Sequence, residues 1–382
     1  MNNRLRVLHI TPDNKFFDSV ITAWETYANI ENSAIFIAQN PNYQLKYIKN
    51  TNKIDIIWNK KKLVERLLGN DYDVIYLHSL PAKLYKYINY IPSDRTVIWW
   101  GWGYDIYQSK RGLPPLVKLP LYKPLTKKFQ ARVNKSLIGL LRLAYWTILR
   151  TLWSKRRNEA LTRIDYFQPV LTKEYRIICL NKFFRAKEFY CKYQGYPFEK
   201  INIVKSSTGD ILLGNSATPT NNHLDVLEVV RSFKQEKQKI IMPLNYGNKL
   251  YTEWLKPQIQ GDDIIPLYDF LPKDEYFKIV EDCSYAVIGT VRQQAMGNIS
   301  FALSKGIKVF LYKESLAYQD YKERGYVVYA IEDMTFESLS TPLSVKEMDK
   351  NRQAFIKEQE RRWGIFDRCV EEMMIKHNKT VC

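Results

Sequence analysis

Two short stretches of the 382-residue chain place polar side chains where phosphate chemistry would need them. The first is Leu212-Leu213-Gly214-Asn215-Ser216-Ala217-Thr218-Pro219-Thr220-Asn221-Asn222-His223. An apolar run ends in a glycine, small polar residues follow, and Asn221 or Asn222 stands where a helix cap is expected. Backbone N–H groups at such a helix start can cradle a diphosphate, and Gly214 permits close backbone approach. The second is Arg292-Gln293-Gln294-Ala295-Met296-Gly297-Asn298, between an apolar run and a helical one. Arg292 offers a forked donor to phosphate oxygens. Gln294 and Asn298 can hydrogen-bond sugar hydroxyls. Taken singly, each stretch also suits an ordinary strand–turn–helix connection, which is common in α/β proteins.

Other candidates are single residues. Asp105, His9, Asp13 and His78 each follow or end a strand-like run, where carboxylates and imidazoles can act as bases. A lone histidine more often packs in a core. Trp99, Trp100 and Trp102 could form a sugar platform or simply pack the sheet end. Asp262-Asp263 resembles a metal-binding pair, but its setting beside Gly261 favours a solvated turn. The five cysteines form no CxxC pair, which reads as reduced structural thiols and excludes a zinc site of that type.

Positioning such groups requires a framework, and the apolar runs supply it. Arg6–Ile10, Ser33–Ala38, Asp73–His78 and Thr96–Trp100 read as strands in the first half, with a helix over Ser19–Tyr27. Ile211–Ser216, Lys239–Pro243, Tyr285–Gly289 and Lys308–Tyr312 repeat the pattern in the second, with helices over His223–Phe233 and Gln294–Lys305. Near-continuous apolar strands alternating with helices indicate parallel sheets covered on both faces, hence an α/β protein of two Rossmann-like halves. Val345–His377 reads as a long helix with Trp363, Phe366, Val370, Met373 and Met374 at helical spacing. The expected division is 1–196, 197–345 and a C-terminal helix, 346–382, packing back on the first domain. Apolar residues at 46% suffice for two cores. The start of the chain moves straight into a strand-like run without a signal-peptide pattern.

The net charge of +18 asks for a polyanionic partner. Much of it sits in residues 108–163, which hold 14 Lys or Arg and one acid, Glu159. A helix is expected from about Val133 to Arg157, apolar through Ser136–Trp153 and carrying Lys135, Arg142, Arg150, Lys155, Arg156 and Arg157. It is too charged to span a bilayer but suits the plane of an anionic membrane surface. The alternative is a helix buried against its own domain. A nucleic-acid partner is disfavoured, since no reader motif is present.

Taken together, the stretches LLGNSATPTNNHLDVL (212–227), Met242–Gly247, Tyr276-Phe277-Lys278, RQQAMGNISFALSKGIKVFL (292–311) and Gln319-Asp320 resemble the TDP-N-acetylfucosamine:lipid II N-acetylfucosaminyltransferases, the family 56 glycosyltransferases. Trp99–Tyr107 looks like that family's WG-x-D-[IL]-Y element. The resemblance is clear in the second half and patchy over the first 200 residues. It implies a GT-B fold with two domains facing a central cleft, the donor nucleotide held by the second and the acceptor by the first. It further implies transfer of a deoxyamino sugar such as 4-acetamido-4,6-dideoxygalactose. The donor would be a TDP-sugar, and the acceptor a polyprenyl-pyrophosphate-linked saccharide at the cytoplasmic face of the bacterial inner membrane.

On this reading Gly214, Asn215, Ser216 and Thr218 contact the diphosphate, Asn222 caps the helix with His223 behind it, and Tyr246 stacks on the base. Arg292, Gln293 and Gln294 meet phosphate and sugar, with Asn298 nearby. Asp105 is the first choice of base. Helix dipoles and cations can stabilise the leaving diphosphate, so no metal cofactor is expected. The rival readings are a capsule or O-antigen transferase with another nucleotide-sugar, and a non-catalytic protein that binds a membrane surface.

Overall fold

The computed structural model describes residues 4–14, 16–107, 113–134, 145, 149–192 and 209–378. The chain divides into two compact units. The first comprises 1–118, 144–193 and 359–382, and the second 119–143 and 194–358.

The first unit is built on a seven-stranded parallel sheet of order β3-β2-β1-β4-β5-β6-β7. Its strands are β1 (Leu5–Thr11), β2 (Ile30–Ile37), β3 (Ile54–Ile57), β4 (Val74–Leu77), β5 (Thr96–Trp100), β6 (Tyr166–Gln168) and β7 (Lys187–Glu188). β4 and β5 are buried at every position, as strands covered on both faces must be. Helix α1 (Phe17–Glu25) buries Phe17, Val20, Ile21 and Trp24 at one-turn spacing. The other described helices of this unit include α2 (Lys60–Leu68), α3 (Gly103–Ile106), α5 (Arg150–Thr162) and α6 (Thr172–Ile178).

The second unit has a six-stranded parallel sheet of order β10-β9-β8-β11-β12-β13. The strands are β8 (Ile211–Leu213), β9 (Ile240–Pro243), β10 (Ile264–Leu267), β11 (Tyr285–Ile288), β12 (Lys308–Leu311) and β13 (Tyr329–Ala330). Its helices include α4 (Pro124–Asn134), α7 (His223–Phe233), α8 (Lys249–Leu255), α9 (Lys273–Glu281), α10 (Met296–Ser304) and α11 (Leu316–Glu323). Sequence order reverses between β1 and β4 in the first sheet and between β8 and β11 in the second. Strand ends at such reversals open into a crevice where ligands of doubly wound sheets bind.

Two features differ from the sequence expectation. Residues 119–143 of the basic stretch count with the second unit, not the first. Within that stretch the helix expected over 133–157 lies largely outside the described residues, Lys135 and Arg142 included, and its described ends belong to α4 and α5. The long C-terminal helix α12 (Val345–Lys376) is divided between the units, with only the part from Gln359 onward counted in the first. Its earlier part is fastened in the second unit, where buried Asn351 accepts the Val327 N–H at 2.6 Å.

From Gln359 onward α12 closes the first unit's core with Ile365, Phe366, Cys369, Val370, Met373 and Met374. The Phe366 ring meets Trp24 edge-on at 5.2 Å and lies 5.5 Å from Phe189. Glu372 accepts from the Tyr166 hydroxyl at 2.8 Å and pairs with Lys187 at the same distance. Truncating Phe366 to Ala is expected to cost about 3–5 kcal/mol of first-unit stability, the usual range for a buried aromatic. Urea unfolding followed by tryptophan fluorescence checks this, since Trp24 sits in the same cluster.

Candidate active site

Each strand end at the second sheet's reversal carries a loop, and the loops are joined by side-chain amides. β8 runs out at Gly214, whose N–H donates to the Val287 carbonyl at 3.0 Å. Gly214 adopts φ +74°, and a Cβ there would stand 3.0 Å from His223 Nε2 and 3.3 Å from Asn221 Oδ1. A side chain would therefore meet both backbone strain and a neighbouring ring. After β9, Gly247 lies against the same loop, where a Cβ would be 2.4 Å from the Ala217 carbonyl oxygen. After β11, a Cβ on Gly289 would be 2.4 Å from the Asn221 carbonyl oxygen. The glycines thus allow three strand-end loops to touch through backbone.

Asn221 organises the first loop from within. Its Nδ2 donates to the Ser216 carbonyl and to Thr218 Oγ1, both at 2.8 Å, and its Oδ1 accepts the Asn215 N–H at 3.2 Å. Gln294, at the end of the β11 loop, then bridges across. Its Nε2 donates to Thr218 Oγ1 at 2.8 Å and Asn215 Oδ1 at 3.2 Å, while its Oε1 accepts from Thr220 Oγ1 at 2.5 Å. Asn215 Nδ2 donates to the Tyr246 hydroxyl at 3.1 Å, drawing in the β9 loop. Tyr246 is otherwise 57% exposed. The turn after Leu213 and the helix opening near Gln294 therefore converge on one place.

The electrostatics of this place suit an anion. Loops 214–222, 244–248 and 289–298 hold Arg292 and no carboxylate. α7 and α10 both begin here, after Asn222 at φ 52° and Ala295 at φ 60°, and neither start has a side-chain cap. Their first-turn N–H groups carry the positive ends of two helix dipoles. His223 is fully buried, and desolvation lowers its pKa to about 3, so the ring is neutral. Its Nδ1 lies 3.1 Å from the Tyr251 hydroxyl and its Nε2 has no hydrogen-bond partner. Among the described residues no group of three His, Cys, Asp or Glu is placed to hold a metal ion. Asp263 is instead bound by Arg231 at 2.9 Å.

Several residues expected at the site have other work. Asn222 is fully buried and does not cap α7. Its Nδ2 donates to the Gly289 carbonyl at 2.7 Å and its Oδ1 accepts the Lys123 N–H at 2.9 Å, so it is a clamp and not a phosphate ligand. Gln293 is buried, and its carbonyl accepts from Arg292 Nη1 at 3.1 Å. Asn298 donates to the Tyr276 hydroxyl at 2.6 Å. Sequence reasoning saw Asn221 only as a possible cap, because nothing in the spacing tells which of two adjacent asparagines turns inward.

The candidate bases of the first unit are also engaged. Asp105 Oδ2 faces the Leu80 N–H at 3.0 Å, Trp99 Nε1 at 3.3 Å and the Trp102 N–H at 3.4 Å. These bonds tie the turn after β5 to Leu80 and to the Trp99 ring. Asp13 accepts the N–H groups of Lys46, Tyr47 and Ile48. His9 Nδ1 and His78 Nε2 are 3.0 Å apart and fully buried. Desolvation lowers His9 to about 4 and holds His78 well below the usual imidazole range, so both are neutral. Trp99 and Trp100 are buried in the sheet, and Trp102 Nε1 donates to the His78 carbonyl at 2.5 Å.

Two parallel doubly wound sheets, each with a crevice at its reversal point, give the chain a GT-B fold. Residues 194–364 match the family model described as 4-alpha-L-fucosyltransferase, glycosyl transferase group 56. The fold recurs in Anabaena HepE in complex with UDP and glucose, at TM-score 0.59 and 12% identity over 97% of this chain and 99% of that one. It recurs in an E. coli trehalose-6-phosphate protein bound with UDP-2-fluoro glucose, at TM-score 0.58 and 9% identity over 97% and 99%. The lipopolysaccharide outer core galactosyltransferase WaaB gives TM-score 0.52 and 9% identity over 93% and 100%.

Substituting Gly214 by Ala is expected to cost about 1–2 kcal/mol from the left-handed backbone alone and to lower Tm. The same change at Gly297, where a Cβ meets nothing within 4 Å, is expected to raise Tm slightly, since alanine suits a helix better. Thermal unfolding of the two variants side by side checks both signs.

Proposed function

We propose that the amide-bridged crevice of the second unit binds the diphosphate of a TDP-sugar and passes its deoxyamino sugar to a polyprenyl-pyrophosphate-linked saccharide. The sugar in this reading is a 4-acetamido-4,6-dideoxygalactose-like residue, and the pathway is bacterial surface-polysaccharide synthesis. The observation that carries it is the Gln294 bridge, because it joins the loops after β8 and β11 around two helix N-termini and Arg292. That arrangement supplies what the departing diphosphate needs: fixed N–H donors and one cation placed where negative charge develops. The reaction would then require no metal. Tyr246, exposed beside Asn215, offers an aromatic face to the base.

A second donor, a UDP-sugar, is favoured by a specific observation: two proteins of the same fold were solved with UDP or a UDP-sugar derivative. Titration calorimetry with TDP and UDP on the full chain, followed by a donor screen against a synthetic polyprenyl-pyrophosphate glycan, separates the two. Arg292→Ala is expected to lose more than about tenfold in kcat/KM, equivalent to 1.4 kcal/mol of transition-state stabilisation. Wild-type turnover by that variant removes Arg292 from the site.

The acceptor's lipid places the reaction at a membrane, here the cytoplasmic face of the bacterial inner membrane. No described helix is long and apolar enough to cross one. Support for peripheral binding comes from α5, where Arg150 and Lys155 are exposed beside Leu152, itself 44% exposed. Arg156 lies 5.2 Å from the Trp153 ring centroid. Arg157 is different, since its Nη1 donates to the Pro114 carbonyl at 2.6 Å and burial lowers its pKa. Lys155→Gln with Arg156→Gln is expected to release the protein from phosphatidylglycerol vesicles while leaving turnover of a soluble acceptor intact. Co-sedimentation checks this, and unchanged vesicle binding would remove α5 from the membrane contact.

A further inference from the structure

The basic stretch enters the second unit at Leu119, and its first residues do not simply pass by. They lie across the opening turn of α7, held by two side chains of that turn. Asn222 accepts the Lys123 N–H at 2.9 Å and donates to the Leu121 carbonyl at 3.2 Å. Asp225 accepts the Leu125 N–H at 2.8 Å, the Thr126 N–H at 3.1 Å and the Thr126 hydroxyl at 2.8 Å. Asp225 thereby caps α4 from a different helix, about a hundred residues away in sequence. Lys123 adds an ion pair to Glu314 at 2.6 Å and lies 4.0 Å over the Tyr312 ring.

Asn222 makes this docking part of the site and not merely adjacent to it. The same amide that holds Leu121 and Lys123 also holds the Gly289 carbonyl at 2.7 Å. Gly289 opens the loop that carries Arg292. One fully buried side chain thus fixes segment 121–123 and the β11 loop in a single arrangement. Tyr122 stands between the two residues that Asn222 binds, half-buried. Burial raises the pKa of its phenol while the charge of Arg292 lowers it, so the hydroxyl stays protonated within the electrostatic reach of that guanidinium.

We propose that residues 119–126 form a strap that completes the diphosphate-sugar site, with the Tyr122 hydroxyl donating to a phosphate oxygen beside Arg292 and Asn222 and Asp225 as its positioning residues. The proposal rests on the reading of the crevice as a nucleoside-diphosphate site and adds a wall to it.

Three variants of the full chain test the strap by calorimetry with TDP and UDP, thermal unfolding and limited trypsin digestion. Tyr122→Phe removes one hydroxyl. It is expected to weaken nucleotide binding about tenfold, the usual loss for a hydrogen bond to a charged group, without moving Tm. Asn222→Asp keeps the size but replaces the donors to Gly289 and Leu121 with a carboxylate, and Asp225→Asn weakens the α4 cap. Both are expected to speed cleavage at Lys127 and Lys128, and to weaken nucleotide binding in proportion. In the wild type, TDP is expected to protect those bonds. If the wild type binds nucleotide and Tyr122→Phe binds equally well, with no protection of 119–134, the strap is overturned alone. A wild type that binds neither nucleotide overturns the strap together with the reading beneath it.

Discussion

The second unit depends on one constraint: three strand-end loops must be held at van der Waals contact although none is regular structure. Backbone amides in such loops have no ladder to join, and a buried polar group left unpaired costs about 1–3 kcal/mol. Asn221 and Gln294 solve this by offering amide groups that donate and accept at once. Glycines at 214, 247 and 289 let the backbones come close enough for those amides to reach. Remove either part and the other fails, because a Cβ at Gly289 would press on the carbonyl of Asn221 itself. The positive electrostatic character of the crevice follows from this geometry, since the same closeness brings the starts of α7 and α10 together.

The central strands of both sheets could be read from the chain because burial on both faces leaves an unbroken apolar run. β4, β5, β8, β9, β11 and β12 are of this kind. Strands β3, β7, β10 and β13 escaped, and all four are sheet edges. β3 buries only its last residue, and β10 contains Pro266 and buries only its first. An edge strand keeps one side in water and tolerates proline, so its sequence looks like a loop.

At the site, Gly214 and the helix opening near Gln294 were legible because strand–glycine–helix punctuation is local. The roles of Asn221 and Asn222 were not, because they depend on which way two adjacent amides turn, and a left-handed residue at 222 decides that. The docking of Leu121–Thr126 onto α7 was invisible for another reason. It pairs residues about a hundred positions apart through hydrogen bonds to backbone, which leave no mark of charge or periodicity. The strong basic character of 108–163 pointed to one shared role, whereas Arg157 is packed within the first unit and Lys123 is paired in the second.

The divided C-terminal helix has a consequence for synthesis. Phe366, Val370 and Met373 line the core under β1 and α1, yet they are translated some 340 residues after Trp24, the difference between positions 366 and 24 being 342. While the ribosome is still making the second unit, the first sheet lacks one wall and exposes aromatic surface. The second unit can close before then, since it extends only to Glu358. Released chains ending near that residue should therefore hold a finished second unit and an unfinished first one that chaperones must shield.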